Sequence, residues 1–364
     1  MRMQSLCAAS LSLLLVVTLS LGPVSGQSPF AVASHLVGLQ WTGSSFIASY
    51  RDDVTRLLNV SLDGTRVAPF APSFSGQAEV YVALSPAKAG FPPGYLYLCS
   101  GGSIYSVDPG GKNSMLFASV TSSVIEYITF DYTGQWGYDL IALAGDGGVL
   151  AVNSSGAMTR IFSLGSNLMP EGLTVAPSTF GAYGGDLIVS MENNHEVIAI
   201  SKAVPGQNKT LAVFPGEAPE RVLTIPTGQD LYIAKYDQGA IQRFDSGNFS
   251  GYAGSVLVIT EGENRQTGSL NVLTADGAHI SVRQVFADPN SPHFEGAAFA
   301  PKAVSGSATV GSAPAGLSFN LGIALAVLII AGAASAGALV ARRTKKAPAN
   351  AGSASRSQLA GKPR

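Results

Sequence analysis

Five glutamates open five short apolar segments of this 364-residue chain: Glu79 in AEVYVAL, Glu126 in IEYITF, Glu171 in PEGLTVAP, Glu220 in PERVLTIP and Glu295 in FEGAAFAP. A second set of polar residues lies in loops after a different apolar segment: Asp52, Asp53, Asp146, Glu192, Asn193, Asn194, His195, Asp237, Glu261 and Glu263. Carboxylates brought together raise one another's pKa or draw in a cation. An oxygen-rich donor set of this kind suits Ca²⁺ or Mg²⁺ far better than Zn²⁺. The five strand-opening glutamates are therefore candidate metal ligands, and the loop residues a candidate ligand-binding rim. The competing reading is structural, with each glutamate hydrogen-bonded to loop amides or paired with Arg51, Arg221 or Arg265. Covalent chemistry has less to stand on. There is no G-x-S-x-G elbow, H-E-x-x-H helix, paired-cysteine zinc site or phosphate loop. Of four scattered histidines, His195 and His293 fall near the acidic segments, where a His–Glu general base pair is conceivable. No catalytic residue is assigned.

The elements that must hold these residues come from an internal repeat. An apolar strand recurs six times, as SFIAS (45–49), YLYLCS (95–100), DLIALA (139–144), DLIVSM (186–191), DLYIAK (230–235) and VLVIT (256–260). Each is followed by a polar loop and a second strand closed by a turn signal, such as LLNVSLDG (57–64) or SIYSVDPG (103–110). Such alternation ended by Asp-Gly or Asp-Pro-Gly is hairpin chemistry. A third strand follows in most copies, and the glutamate-bearing strand precedes the pair. Four strands per unit at a spacing of about 45 residues predict an all-β, six-bladed β-propeller, which leaves few open edges by radial repetition. Five blades or an open stack are the alternatives. The fifth unit has no room for its outer strand, and strand 294–301, left over at the end, is expected to complete the first unit and close the ring.

In such a ring the innermost strand starts on the face that also carries the loop after the second strand. About half of the chain's 23 Asp and Glu then converge on one mouth. Four N-glycosylation triplets, at Asn59, Asn153, Asn208 and Asn248, fall on or near the opposite face. Glycans there would leave the mouth bare.

Charge is segregated along the chain. Only 12% of residues are charged, which argues against disorder and nucleic-acid binding. Residues 342–364 carry seven bases and no acid, so the segment 27–316 holds 14 bases against all 23 acids, a net of −9. Residues 1–26 read as a secretory signal, with Arg2, an apolar run from Leu11 to Leu21 and small residues before Gln27. Leu321 to Ala341 is an uncharged run of 21 residues, long enough to span a bilayer, and Arg342-Arg343-Thr344-Lys345-Lys346 follows at once. The expected organisation is a signal (1–26), a propeller ectodomain (27–301), a flexible linker (302–316), one transmembrane helix (317–341) and a basic cytoplasmic tail (342–364). The organisation predicts a single-pass plasma-membrane protein with its body outside the cell and the mouth pointing away from it. Cys7 leaves with the signal, so Cys99 has no disulfide partner and, within YLYLC, reads as a core thiol.

The hairpin pattern resembles six-bladed propellers of the NHL-like and gluconolactonase (senescence marker protein) superfamily. Glu171-Gly172 and Glu295-Gly296 resemble that superfamily's Glu-Gly inner strand. The resemblance implies a six-bladed fold, and that these glutamates bind a divalent cation. The Asn-Gly and Asp-Gly segments that carry the other ligands and the catalytic acid in those lactonases have no match here. The expected function is therefore non-catalytic recognition of an extracellular protein, glycan or small ligand at the acidic mouth. A divalent-cation-dependent lactonase or esterase is one alternative, and a structural glycosylated envelope protein the other.

Overall fold

A computed structural model describes residues 29–165, 168–261, 268–288, 290 and 293–302. The expected signal, the linker beyond Lys302, the apolar run, the basic tail, Arg265 and Glu263 lie outside the described residues. Among the described residues, no helix is long and apolar enough to cross a membrane.

Six four-stranded antiparallel sheets form six blades. Blade one is β2 (Leu36–Trp41), β3 (Phe46–Arg51), β4 (Thr55–Val60) and β5 (Val67–Phe70). Blade two is β6 (Val82–Leu84), β7 (Leu96–Ser100), β8 (Ser103–Val107) and β9 (Ser114–Ser119). Blade three runs through β10 (Ile125–Phe130), β11 (Leu140–Ala144), β12 (Gly148–Val152) and β13 (Met158–Ser163). Blade four runs through β14 (Pro170–Val175), β15 (Leu187–Met191), β16 (Glu196–Ile200) and β17 (Asn208–Val213). The inner strands of these four, β2, β6, β10 and β14, follow one another round the channel. The second strands read as unbroken apolar runs because both of their faces are covered by neighbouring blades. Every residue of Leu140–Ala144 and Leu187–Met191 is buried. Outer strands have one face in water, and Met115 and Leu116 of β9 are exposed. The core is thus a set of apolar layers between blades, such as Ile141 and Leu143 of blade three against Leu173 and Val189 of blade four.

The last two blades depart from the expected order. β18 (Ala218–Thr224) is the inner strand of blade five, but its partner is β21 (Val256–Glu261), followed by β22 (Gly268–Asp276) and β23 (His279–Asp288). The hairpin between them, β19 (Gln229–Lys235) and β20 (Ala240–Phe244), crosses into blade six. There β19 pairs with β24 (Phe294–Pro301) on its inner side, and β20 pairs with β1 (Phe30–Ala31) on its outer side. Strand 294–301 therefore does not complete the first unit, which has its own inner strand in Leu36–Trp41. The ring is closed by the N-terminal strand. The short spacing before VLVIT arises because one unit is interrupted by part of the next, which an assumption of chain-order pairing cannot reveal. Of the glycosylation triplets, Asn153 and Asn208 are exposed, while Asn59 and Asn248 are half-buried.

Candidate functional site

The strand-opening glutamates are aimed by a repeated irregularity. In blades three, four and five the register between inner and second strand shifts between Ile125 and Tyr127, between Pro170 and Gly172, and between Pro219 and Arg221. The residue passed over is in turn Glu126, Glu171 and Glu220. A β-bulge of this kind leaves one residue unpaired and redirects its side chain. In blade six the shift falls between Ile233 and Lys235, opposite Glu295 and Gly296. The glycines after Glu171 and Glu295 have a packing reason. A Cβ on Gly172 would lie 2.7 Å from the Glu220 carbonyl oxygen, and one on Gly296 would lie 2.4 Å from that of Val37. Only glycine lets adjacent inner strands approach this closely.

Blade five breaks the pattern by placing an arginine after its glutamate. Arg221 is 1% exposed and reaches into the channel. Its guanidinium lies 3.8 Å above the Tyr81 ring and 4.9 Å from that of Tyr127. One terminal nitrogen donates to the backbone carbonyls of Glu171 and Glu220. The other sits 2.7 Å from Glu220 Oε1 and 3.5 Å from Glu295 Oε2. The Tyr81 hydroxyl is 2.9 Å from Glu295 Oε2 and 3.1 Å from Glu79 Oε2. It donates to both carboxylates. Burial, reinforced by the Glu295 charge, pushes Glu79 up to about 7. Burial also holds Glu171 and Glu220 well above the usual carboxylate range, against the pull of Arg221. Although burial works against its charge, the carboxylate of Glu220, with Tyr81 and Glu295, keeps Arg221 protonated.

A second cation stands beside this cluster. His293 Nε2 donates to Glu261 Oε2 at 3.1 Å and Glu295 Oε1 at 2.9 Å. Its ring packs on Tyr236, with centroids 4.6 Å apart. Burial opposes the imidazolium, but the two carboxylates push its pKa up to about 11.

The structure thus brings the buried Glu171, Glu220, Glu261 and Glu295 and the half-buried Glu79 together, with Glu126 on the neighbouring strand. The rim residues are spread around it. Asp52 accepts from Ser34, and Asp146 pairs with Arg160 at 2.6 Å. Asn193, Asn194 and Asp237 are exposed, Glu192 is half-buried, and His195 donates through Nδ1 to the Glu217 carbonyl. Cys99 is buried in the core, where burial pushes its thiol up to about 12. Of the two described arginines considered as partners, Arg51 and Arg221, Arg221 is the one at the centre. The Glu-Arg dipeptide, where other units have Glu-Gly, Glu-Tyr or Glu-Val, was the available signal for it.

This arrangement bears on metal binding. A divalent cation centred among Glu79, Glu126, Glu171, Glu220 and Glu295 would meet the Arg221 guanidinium, so that ring does not fit Ca²⁺ or Mg²⁺ as built. Glu261, His293 and Glu295 are different, because one donor atom from each lies within 4.8 Å of the others. A nitrogen and two carboxylates form a borderline donor set closer to Zn²⁺ or Mn²⁺ than to Ca²⁺. His293 Nε2 already faces both carboxylates at direct hydrogen-bonding distance.

Neither a protein-family model nor a curated protein matches the sequence. Several solved structures are similar to this chain at low identity. Regucalcin from Agrobacterium tumefaciens, a calcium-binding protein, is 12% identical at a TM-score of 0.43, over 72% of this chain and 79% of that one. A glucose dehydrogenase is 14% identical at a TM-score of 0.47, over 73% of this chain and 89% of that one. A catalytically inactive virginiamycin B lyase from Staphylococcus aureus is 14% identical at 0.41, over 58% and 66%. These likenesses concern the fold alone, and the fold is the six-bladed propeller that the repeat predicts.

Proposed function

We propose that this chain is a non-catalytic recognition module, carried outside the cell on one C-terminal span, that takes a cationic partner at its acidic mouth. The observation that carries the reading is the division of that face into two layers. The inner carboxylates are engaged with Arg221, Tyr81 and His293, whereas Asp52, Asp53, Asn193, Asn194 and Asp237 meet solvent from three blades. What this face offers a partner is negative potential and hydrogen-bond acceptors on a rigid ring. Such a surface steers association and selects the sign of the partner's charge. The partner is a protein segment, glycan or small ligand that presents positive charge.

The test displays the full chain on cells and measures capture of Lys/Arg-rich peptides, with and without Asp52→Lys, Glu192→Lys and Asp237→Lys combined. Capture should disappear in the triple variant at unchanged melting temperature. Equal capture would defeat the reading and favour a structural envelope role.

The Glu261–His293–Glu295 group supports a second reading, a metal-dependent hydrolase of the lactonase or esterase type. Thermal unfolding of the full chain in excess EDTA, then in Ca²⁺, Mg²⁺ or Zn²⁺, tests it. A metal at 100 times its dissociation constant adds about 2.7 kcal/mol, visible as a rise in melting temperature. No rise with any of them would leave this reading without its cofactor.

A further inference from the structure

The channel has a second end, and it differs from the first in every chemical respect. Beyond Tyr127, on the face where the inner strands finish, a cavity of about 340 Å³ is enclosed by residues of all six inner strands or the loops after them. The buried Arg221 and Tyr81 do not line it, and Tyr127, which does, has its ring 4.9 Å from the Arg221 guanidinium. Its mouth is marked by Tyr132, which is 51% exposed and whose hydroxyl is tied to the Leu84 carbonyl at 2.7 Å.

No lining residue is Asp, Glu, Lys, Arg or His. The polar groups on its wall are Gln40, Thr129, Thr133, Thr174, Thr224, Tyr127 and Tyr132, set among Leu, Val, Ala, Pro and Phe side chains, and the Thr133 hydroxyl is already engaged with Asp131. Thr224 donates to the Val175 carbonyl at 3.3 Å, and Gln40 Nε2 to that of Trp41 at 2.8 Å. Among the described residues, the hydroxyls of Thr129 and Thr174 have no hydrogen-bond partner and are half-exposed to the cavity. A charged guest would be desolvated here with no opposite charge to meet it, a heavy cost. An apolar guest with hydroxyl or carbonyl groups would cover the aliphatic wall and engage the two threonines. The volume lies at the small end of the range of about 300–1,000 Å³ seen for small-molecule pockets.

We infer that the base of the channel is a binding site for a neutral, compact amphiphile, a ring or short chain bearing one or two hydroxyl or carbonyl groups. The site is separate from the acidic mouth and does not depend on it.

The experiment titrates the purified full chain with 2-naphthol, followed by the probe's own fluorescence. The same ring carrying a charge, as 2-naphthoate or 2-naphthylmethylamine, serves as comparator. 2-Naphthol should bind saturably, and both charged analogues at least tenfold more weakly. Ala298→Phe, which enlarges a residue of the cavity wall, should weaken 2-naphthol at least tenfold. Thr174→Val keeps the volume and removes one hydroxyl, so it should weaken binding about two- to tenfold. The Asp52→Lys, Glu192→Lys, Asp237→Lys variant should bind 2-naphthol as the parent does. If Ala298→Phe unfolds the chain, Thr174→Val decides alone. Absence of saturable binding, equal binding of a charged analogue, or affinity indifferent to both cavity substitutions overturns the inference.

Discussion

Replacing Arg221 with methionine tests the central claim about the mouth, that the protein supplies its own cation to a ring of carboxylates. Methionine has similar reach and no charge, so the substitution removes the ion pair at 2.7 Å to Glu220 and the contact over the Tyr81 ring with little change in packing. Glu220 and Glu295 are 4% and 2% exposed, so neither can turn to water for compensation. Breaking a buried ion pair from one side costs about 3–5 kcal/mol, because the remaining charge is left uncompensated. At roughly 2–4 °C per kcal/mol for a large domain, the melting temperature of the full chain should fall by about 10 °C at pH 8. The loss should shrink at pH 5. There the carboxylates, already held toward protonation by burial, take up protons and no longer need the guanidinium. Glu220→Gln in the same chain should restore part of the stability. Urea unfolding at both pH values provides the measurement. A loss below about 1 kcal/mol, or one equal at pH 5 and pH 8, would refute the reasoning.

Other consequences follow from the same geometry. His293 is raised from 6.5 to about 11, so its stabilisation is complete below pH 6.5 and is lost as pH climbs toward 11. Glu79 is raised from 4.5 to about 7, so it also removes stability as pH rises between those values. Urea midpoints should therefore fall on alkalisation, and His293→Gln should flatten the part of the curve above pH 7. Gly296→Ala puts a methyl 2.4 Å from a backbone oxygen and 2.6 Å from the Leu39 nitrogen, and should cost about 1–3 kcal/mol in denaturant unfolding. Native Cys99 should resist Ellman's reagent and react only once the chain is unfolded, since it is buried with a thiol pKa of about 12.

What could be read from the sequence depended on whether the interaction was local. Turn chemistry is local, and Asp63 and Asp108 do fold their own loops, as DG and DPG suggested. The apolar second strands announced themselves because burial on both faces writes an unbroken run. The glutamates were visible as a repeat, but their inward aim depends on bulges, which pairing with another strand creates. Arg221 reaches Tyr81 across the channel, and a contact spanning 140 residues leaves no periodic trace. The cavity was missed for the same reason. Its threonines are unremarkable strand residues until six strands bring them together. The crossed order of the last two blades likewise has no local signature beyond one shortened spacing.

That crossing, with the closure by Phe30–Ala31, sets a schedule for folding. Phe30 pairs with Ile241, more than two hundred residues downstream. At a synthesis rate of about 5–20 residues per second, the first strand waits about 10–40 s for its partner to be made. Blade five cannot be finished until the hairpin lodged in its sequence has left for blade six, and blade six cannot be finished until β24 arrives. Four blades can form in order as the chain emerges, and the last two must assemble together. The rate-limiting event should be this joint closure, a contact of high sequence separation made late. Slow refolding with a population that has four blades in place is the kinetic mark of such a ring.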